Sequence, residues 1–173
     1  MTLNIKIIPI SKKLELKQFD CGINELNVYL SQYSIANDKK NIGKTFVAVG
    51  EEHNFPLGYY TVSMVQVYFH ELTDDIKKSL PKYPIPSMRI GKLAVSKGVQ
   101  GKRIGAYLLR DSFLRAIRIS EDVALKFIVV DALNEKSKEF YIRYGFIPLK
   151  DNPLKLVISL DTIKMAFLSF HNL

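Results

Sequence analysis

The 173-residue sequence holds a single cysteine, Cys21, so no intramolecular disulfide can brace it. It also lacks an apolar run long enough to span a bilayer. The longest, residues 56–69, is broken by Ser63 and Gln66 and falls short of the roughly 18 to 20 residues that a spanning helix requires. The opening MTLNIKIIPI does not show the basic-then-apolar layout of a secretory signal, which makes the cytoplasm the expected compartment, with no membrane partner. Internal repeats, low-complexity tracts and Gly/Ser linkers are missing, and one domain over residues 1–173 is the simplest organisation. His53, His70 and His171 are too scattered for a metal site, so no metal is expected. Neither G-x-x-x-x-G-K-[ST] nor G-x-G-x-x-G occurs, which excludes the two common nucleotide fingerprints.

What is present reads as an ordinary globular chain, with 47% hydrophobic and 24% charged residues. A formal net charge of +8 favours an acidic partner, either nucleic acid or a phosphorylated cofactor, although lysine-rich runs are also simply solvated surface. Residues 5–10 predict a first strand. Phe19-Asp20-Cys21-Gly22 predicts a turn into a helix over 24–36, capped by Asn24, with Leu26, Tyr29, Leu30 and Tyr33 at helical spacing. Residues 45–50 and 57–69, rich in Val, Tyr, Phe and Thr, predict a hairpin. A short helix over 74–80, a strand over 88–95, a helix over 102–119, a strand over 127–131 and a helix over 135–144 follow. The last is stopped by Gly145 as a left-handed cap. Residues 146–148, 154–160 and a helix from Asp161 finish the chain. This order predicts an α/β (α+β) fold, a mixed sheet covered by helices.

The most specific feature is Leu93-Ala94-Val95 followed by Gln100-Gly101-Lys102-Arg103-Ile104-Gly105-Ala106. A strand runs into a turn that opens a helix, so unpaired backbone N–H groups and the positive end of the helix dipole converge on one point, which suits a phosphate. Gly101 and Gly105 permit close approach of the backbone to an anion; Lys102 and Arg103 add charge.

These residues resemble the pyrophosphate loop Q/R-x-x-G-x-G/A of the GNAT superfamily of acetyltransferases, with Arg103 standing where the family usually has its middle glycine. The second half of the family signature, A-x-N-x-x-A-x-x-F-Y-x-x-x-G-F, is matched from Ala132 through Asn134, Phe140, Tyr141 and Gly145 to Phe146, with Ser137 in place of an alanine. The likeness implies a mixed, mostly antiparallel sheet of six to seven strands flanked by helices, with a parallel strand pair that splays after Val95. It further implies acetyl-coenzyme A as co-substrate, held by Leu93, Ala94, Val95, residues 100–106, Asn134, Phe140 and Tyr141. Tyr141 would be the catalytic acid, its phenol protonating the departing thiolate, and the main-chain N–H of Val95 the oxyanion donor.

More narrowly, the chain is similar to the GNAT toxins of bacterial toxin–antitoxin pairs, which acetylate the amino acid on transfer RNA. The matching pieces include residues 19–22, Thr45-Phe46-Val47-Ala48, Leu57-Gly58-Tyr59-Tyr60, Ile85-Pro86 and Ile90-Gly91-Lys92-Leu93-Ala94-Val95, with Lys92 where many such toxins have arginine. The resemblance implies aminoacyl-tRNA as acceptor and a small DNA-binding antitoxin of the ribbon-helix-helix type as partner. Members of the group often form homodimers, so pairing of two copies stays open. Lys39, Lys40, Lys44, Lys92, Lys136 and Arg143 are the expected tRNA contacts, within a wider basic set of Lys12, Lys13, Lys17, Lys77, Lys78, Lys82 and Lys138.

No general base stands out among Glu25, Glu71 and Asp111. An α-amine is about 10% neutral at pH 7 against about 0.04% for a lysine, so an aminoacyl ester needs little more than an ordered water. Cys21 lacks a His partner in any recognisable pattern for a nucleophile. Two other readings stay open: an acetyltransferase acting on a protein N-terminus, a lysine or a small amine, and a non-catalytic basic nucleic-acid-binding module.

Overall fold

The computed structural model describes residues 4–50 and 54–171, which leaves His53 outside the described residues; nothing follows for the side chains of Phe170 and His171. Seven strands form one sheet in the order β1-β2-β3-β4-β5-β7-β6. They are β1 (Ile5–Pro9), β2 (Lys44–Gly50), β3 (Gly58–Val67), β4 (Ile85–Val95), β5 (Phe127–Asp131), β6 (Ile147–Pro148) and β7 (Lys155–Ser159). The helices are α1 (Asn24–Val28), α2 (Ser34–Lys39), α3 (Asp74–Lys77), α4 (Ile104–Asp122), α5 (Glu135–Arg143) and α6 (Leu160–His171). The mixed, mostly antiparallel α/β architecture agrees with the expectation from the sequence. The residues fall into two compact units, 1–63 with 91–112 and 64–90 with 113–173.

In the first unit, β1 and β2 run antiparallel with Ile7 opposite Ala48, and β2 and β3 form the expected hairpin with Phe46 opposite Tyr60. Phe19, Leu26, Leu30, Val47, Tyr59 and Ala94 build the buried core of this unit. Asn24 is not the helix cap. Gly22, at φ +90°, turns the chain so that Ile23 is extended and takes the cap position, and its carbonyl accepts from the N–H groups of Leu26 and Asn27. A π-helical turn, Tyr29–Tyr33, joins α1 to α2, so helical winding runs on to Lys39, past the expected end. The hydroxyls of Ser31 and Ser34 bond back to the carbonyls of Asn27 and Leu30, a competition with the main-chain ladder that accompanies such distortions. Helix α4 begins at Ile104 rather than Lys102, because Gly101 and Arg103 are both left-handed, at φ +78° and +62°.

In the second unit, β4 and β5 pair in parallel from Ser87 with Phe127 to Ile90 with Val130, while β7 lies antiparallel to both β5 and β6. This register stops at Ile90, well before the expected parting after Val95, because β5 ends at Asp131. Val67, Leu72, Ile85, Phe127, Val129 and Val157 are buried together. Helix α5 starts on Asn134, whose carboxamide oxygen accepts from the Ser137 N–H at 2.9 Å. It ends as the sequence predicts: Gly145 is left-handed at φ +92°, and the Phe146 N–H reaches back to the Tyr141 carbonyl at 3.2 Å.

Candidate cofactor loop and catalytic tyrosine

The loop in the first unit is built by backbone conformation. After Val95, a 3₁₀ turn over Lys97–Val99 leads to Gln100, and the two left-handed residues Gly101 and Arg103 carry the chain into α4. The amides at the start of that helix, Ile104, Gly105 and Ala106, have no acceptor within it by geometry alone. Space around the loop is open: a Cβ placed on Gly101 would meet nothing within 4 Å, so an anion can reach the backbone there. Lys102 and Arg103 are exposed, whereas Ile104 is buried and can offer a ligand only its peptide. Arg103 is left-handed, a conformation in which a side chain costs about 1–2 kcal/mol of local strain.

The strand leading into the loop is pinned by a close approach. Gly58 lies so near β4 that a Cβ on it would stand 2.8 Å from the Ala94 carbonyl oxygen and 3.0 Å from Leu108 Cδ1. Leu93 and Val95 are half-buried and Ala94 is buried. The Gln100 carboxamide donates to the Val95 carbonyl at 3.0 Å and to the Cys21 carbonyl at 3.1 Å, so it is committed to the protein's own backbone.

Tyr141, in the second unit, sits in an aromatic cluster. Its ring meets Phe140 edge-on at 5.2 Å and Phe146 edge-on at 5.3 Å; Phe146 also packs on Phe113 at 6.0 Å. Burial first, and then the negative charge of Asp131, raise the phenol's pKa above its ordinary value, which keeps it a proton donor. Asp131 is itself paired with Arg89 at 2.6 Å. The Asn134 oxygen accepts from both the N–H and the hydroxyl of Ser137, capping α5.

The basic residues differ in what holds them. Lys39, Lys40, Lys136 and Arg143 are exposed. Lys44 is paired with Asp38 at 3.2 Å, and the Lys92 ammonium lies 4.1 Å from the Tyr29 ring centre. Of the acids weighed as a base, Glu71 pairs with Lys155 at 2.7 Å and accepts from the Tyr68 N–H at 2.8 Å. Asp111 accepts from the buried Tyr60 hydroxyl, and Glu25 is an exposed first-turn acid of α1. Cys21 is buried, its thiol 3.6 Å from the Ile23 carbonyl. Among the described residues, no three His, Cys, Asp or Glu gather as a metal site, and no helix is long and apolar enough to cross a membrane. A 250 Å³ cavity in the second unit, lined by Ile76, Leu80, Phe127, Gly145, Val157 and Thr162 among others, contains none of the residues expected to bind cofactor or tRNA or to act in catalysis.

No family model matches the chain. It is 26% identical over 149 residues to the tRNA-acetylating toxin of Mycobacterium tuberculosis, covering 86% of this chain and 88% of that one. Among solved structures, AtaT complexed with acetyl-methionyl-tRNAfMet superposes with a TM-score of 0.88 at 28% identity, over 95% of this chain and 99% of that one. A tyrosine-to-phenylalanine mutant of KacT does so with a TM-score of 0.88 at 29% identity, over 94% and 98%. The chain resembles the tRNA-acetylating GNAT toxins. This GNAT-toxin likeness runs nearly end to end in each comparison and includes AtaTR bound with acetyl-coenzyme A, at a TM-score of 0.83 and 28% identity.

Sequence reading missed the contacts around the loop. Asp20 and Asn27 were visible only as turn and helix residues, and Lys97 was not singled out: it lies 77 residues from Asp20 in sequence, and although Asn27 is only seven residues from Asp20, folding alone joins the three. The Asx-type pattern of Asp20 two residues before a glycine was the one available signal.

Proposed function

We propose that the chain, acting as one acetyltransferase domain over residues 1–173, transfers an acetyl group from acetyl-coenzyme A to the α-amine of an aminoacyl-tRNA and thereby blocks translation. The observation that carries this reading is the open, left-handed turn at Gly101 and Arg103 before α4, in a chain superposing over 95% of its length on AtaT complexed with acetyl-methionyl-tRNAfMet.

The residues divide the work. Amides from Gly101 to Ala106 hold the pyrophosphate, with Lys102 and Arg103 adding charge, while Leu93, Ala94 and Val95 align the pantetheine arm along β4. When bound, acetyl-coenzyme A supplies a thioester open to attack by an amine. The Val95 N–H stabilises the oxygen that gains charge, and the Tyr141 phenol gives a proton to the departing sulfur; its raised pKa suits a group that must start protonated. No side-chain base is required of Glu71 or Asp111, each engaged in a contact of its own. An α-amine beside an ester is neutral often enough at pH 7 for water to accept its proton. Lys39, Lys40, Lys44, Lys92, Lys136 and Arg143 contact tRNA phosphates.

The neighbours AtaT and KacT have structures with the antitoxin AtaR and as a KacTA-DNA complex. By the same likeness, a small DNA-binding antitoxin silences this chain in the cytoplasm. The test is direct: purified chain, acetyl-coenzyme A with a labelled acetyl group and a panel of aminoacyl-tRNAs. Label on the aminoacyl end, lost when salt rises from 50 to 200 mM as phosphate contacts weaken, supports the reading. Label only on lysine, polyamines or protein N-termini would overturn it.

A further inference from the structure

The turn over residues 20–22 is tied to the approach of the cofactor loop by a dense set of bonds. The Asp20 carboxylate accepts from the Gly22 N–H at 2.8 Å and from the Asn27 carboxamide at 3.0 Å, and its second oxygen meets the Lys97 ammonium at 3.0 Å. The Asp20 main-chain carbonyl accepts from the Lys97 N–H at 2.8 Å. Asn27 completes the ring through its carboxamide oxygen, which accepts from the Cys21 N–H at 2.9 Å. One step further along, Gln100 bridges the Cys21 and Val95 carbonyls. Gly22 has little slack, since a Cβ there would stand 3.0 Å from Lys97 Cε.

The bonds act on residues 95–100, the stretch between the strand end and the anion-binding turn. Asp20, Asn27 and Gln100 each make at least one side-chain bond to backbone: Asp20 to the Gly22 N–H, Asn27 to the Cys21 N–H and Gln100 to the Cys21 and Val95 carbonyls. A loop ordered before its ligand arrives does not charge that ordering against affinity. Hydrogen bonds from Gly22 first, then from Lys97 and Asn27, hold the Asp20 carboxyl below the usual aspartate range, so the anchor stays ionised at neutral pH.

We propose that Asp20, Asn27, Lys97 and Gln100 form a clamp that positions the acetyl-coenzyme A loop, setting affinity for the cofactor and leaving the chemical step alone. The inference rests on the acetyltransferase reading above and assigns these four as positioning residues.

The test titrates acetyl-coenzyme A into the full chain by calorimetry and follows acetyl transfer. Asn27→Ala should weaken cofactor binding about tenfold, as expected for losing bonds to a charged group, and raise KM in step, with kcat at saturation unchanged within about twofold. Asp20→Asn, nearly isosteric, keeps an acceptor for Gly22 and Asn27 and loses both the charge and the acceptor facing Lys97. It should cost less, and joined to Lys97→Ala it should be no worse than the poorer single variant. Cofactor-free hydrogen exchange at residues 97–104 should quicken in each variant. If Asn27→Ala fails to fold, Asp20→Asn with Lys97→Ala carries the test. Unchanged affinity and exchange, or a kcat that falls while KM holds, would overturn the clamp. A wild-type chain that binds no acetyl-coenzyme A would instead overturn the acetyltransferase reading, while its exchange pattern still reports on the loop.

Discussion

The loop before α4 and the tyrosine of α5 are ordered by opposite means. The loop is shaped by main-chain torsions and by hydrogen bonds to mostly exposed or half-buried polar groups, with Arg103 kept left-handed at φ +62°. Tyr141 is fixed by apolar rings, with 7% of its surface exposed and Phe140 and Phe146 edge-on against it. The contrast follows from the tasks proposed for them. A pyrophosphate is bound by many amides that must converge from an accessible backbone, whereas a phenol that donates one proton needs its single hydroxyl held in one place, which ring packing supplies.

The largest effect should come from removing the proposed acid. Tyr141→Phe keeps the ring packing and loses only the hydroxyl, so kcat for acetyl transfer should fall about 100-fold or more, with thermal stability little changed and cofactor affinity intact. Activity at the wild-type level would remove Tyr141 from its role. Next is Gly58→Ala. Its new methyl must displace the Ala94 carbonyl or Leu108, at a cost of about 1–3 kcal/mol in stability, and the damage should appear as weaker cofactor binding.

A smaller effect of mixed sign is expected at Arg103→Gly. Relief of left-handed strain should raise stability by about 0.5–1 kcal/mol in thermal unfolding, while loss of the guanidinium should weaken acetyl-coenzyme A binding in a salt-sensitive way. An acid titration probes the second unit. Burial raises the Glu71 pKa, but the hydrogen bond from Lys155 and then that from the Tyr68 N–H outweigh it, and the net shift is downward. A depressed carboxyl stabilises the fold above its ordinary value of 4.5 and stops doing so as pH falls through the lower folded value. The melting-temperature advantage of wild type over Glu71→Gln should therefore be full at pH 7 and shrink below pH 4.5. Smallest of all is a null effect: the spectrophotometric titration of Tyr141→Phe should match that of wild type up to about pH 10, because the raised pKa keeps Tyr141 from ionising in that range.

Much of this was legible from local chemistry. Strand β5 lies where its apolar run predicts, and the Gly145 cap could be read because only a residue without Cβ takes φ +92° without penalty. The loop was found because glycine spacing before a helix has a physical meaning by itself. Helix starts were harder. Asn24 has the chemistry of a cap, yet Gly22 moved the extended residue to Ile23. The Asp20–Lys97 pair and the Tyr60–Asp111 bond were out of reach, since nothing local marks one charge as the partner of another far along the chain. Asn134 shows a further limit: matching the signature did not reveal that its oxygen also caps α5.

The π-helical turn over Tyr29–Tyr33 makes the chain sensitive to length as well as to identity. A π turn already holds one residue more than regular winding needs, so excising one residue from it would leave α1 and α2 as a single regular helix with Ser34 still buried and the Lys39–Lys40 pair still facing as it does. The same excision from α2 would instead rotate the Lys39–Lys40 pair by about 100°. There, a one-residue deletion would re-aim a cationic surface without changing a single charge.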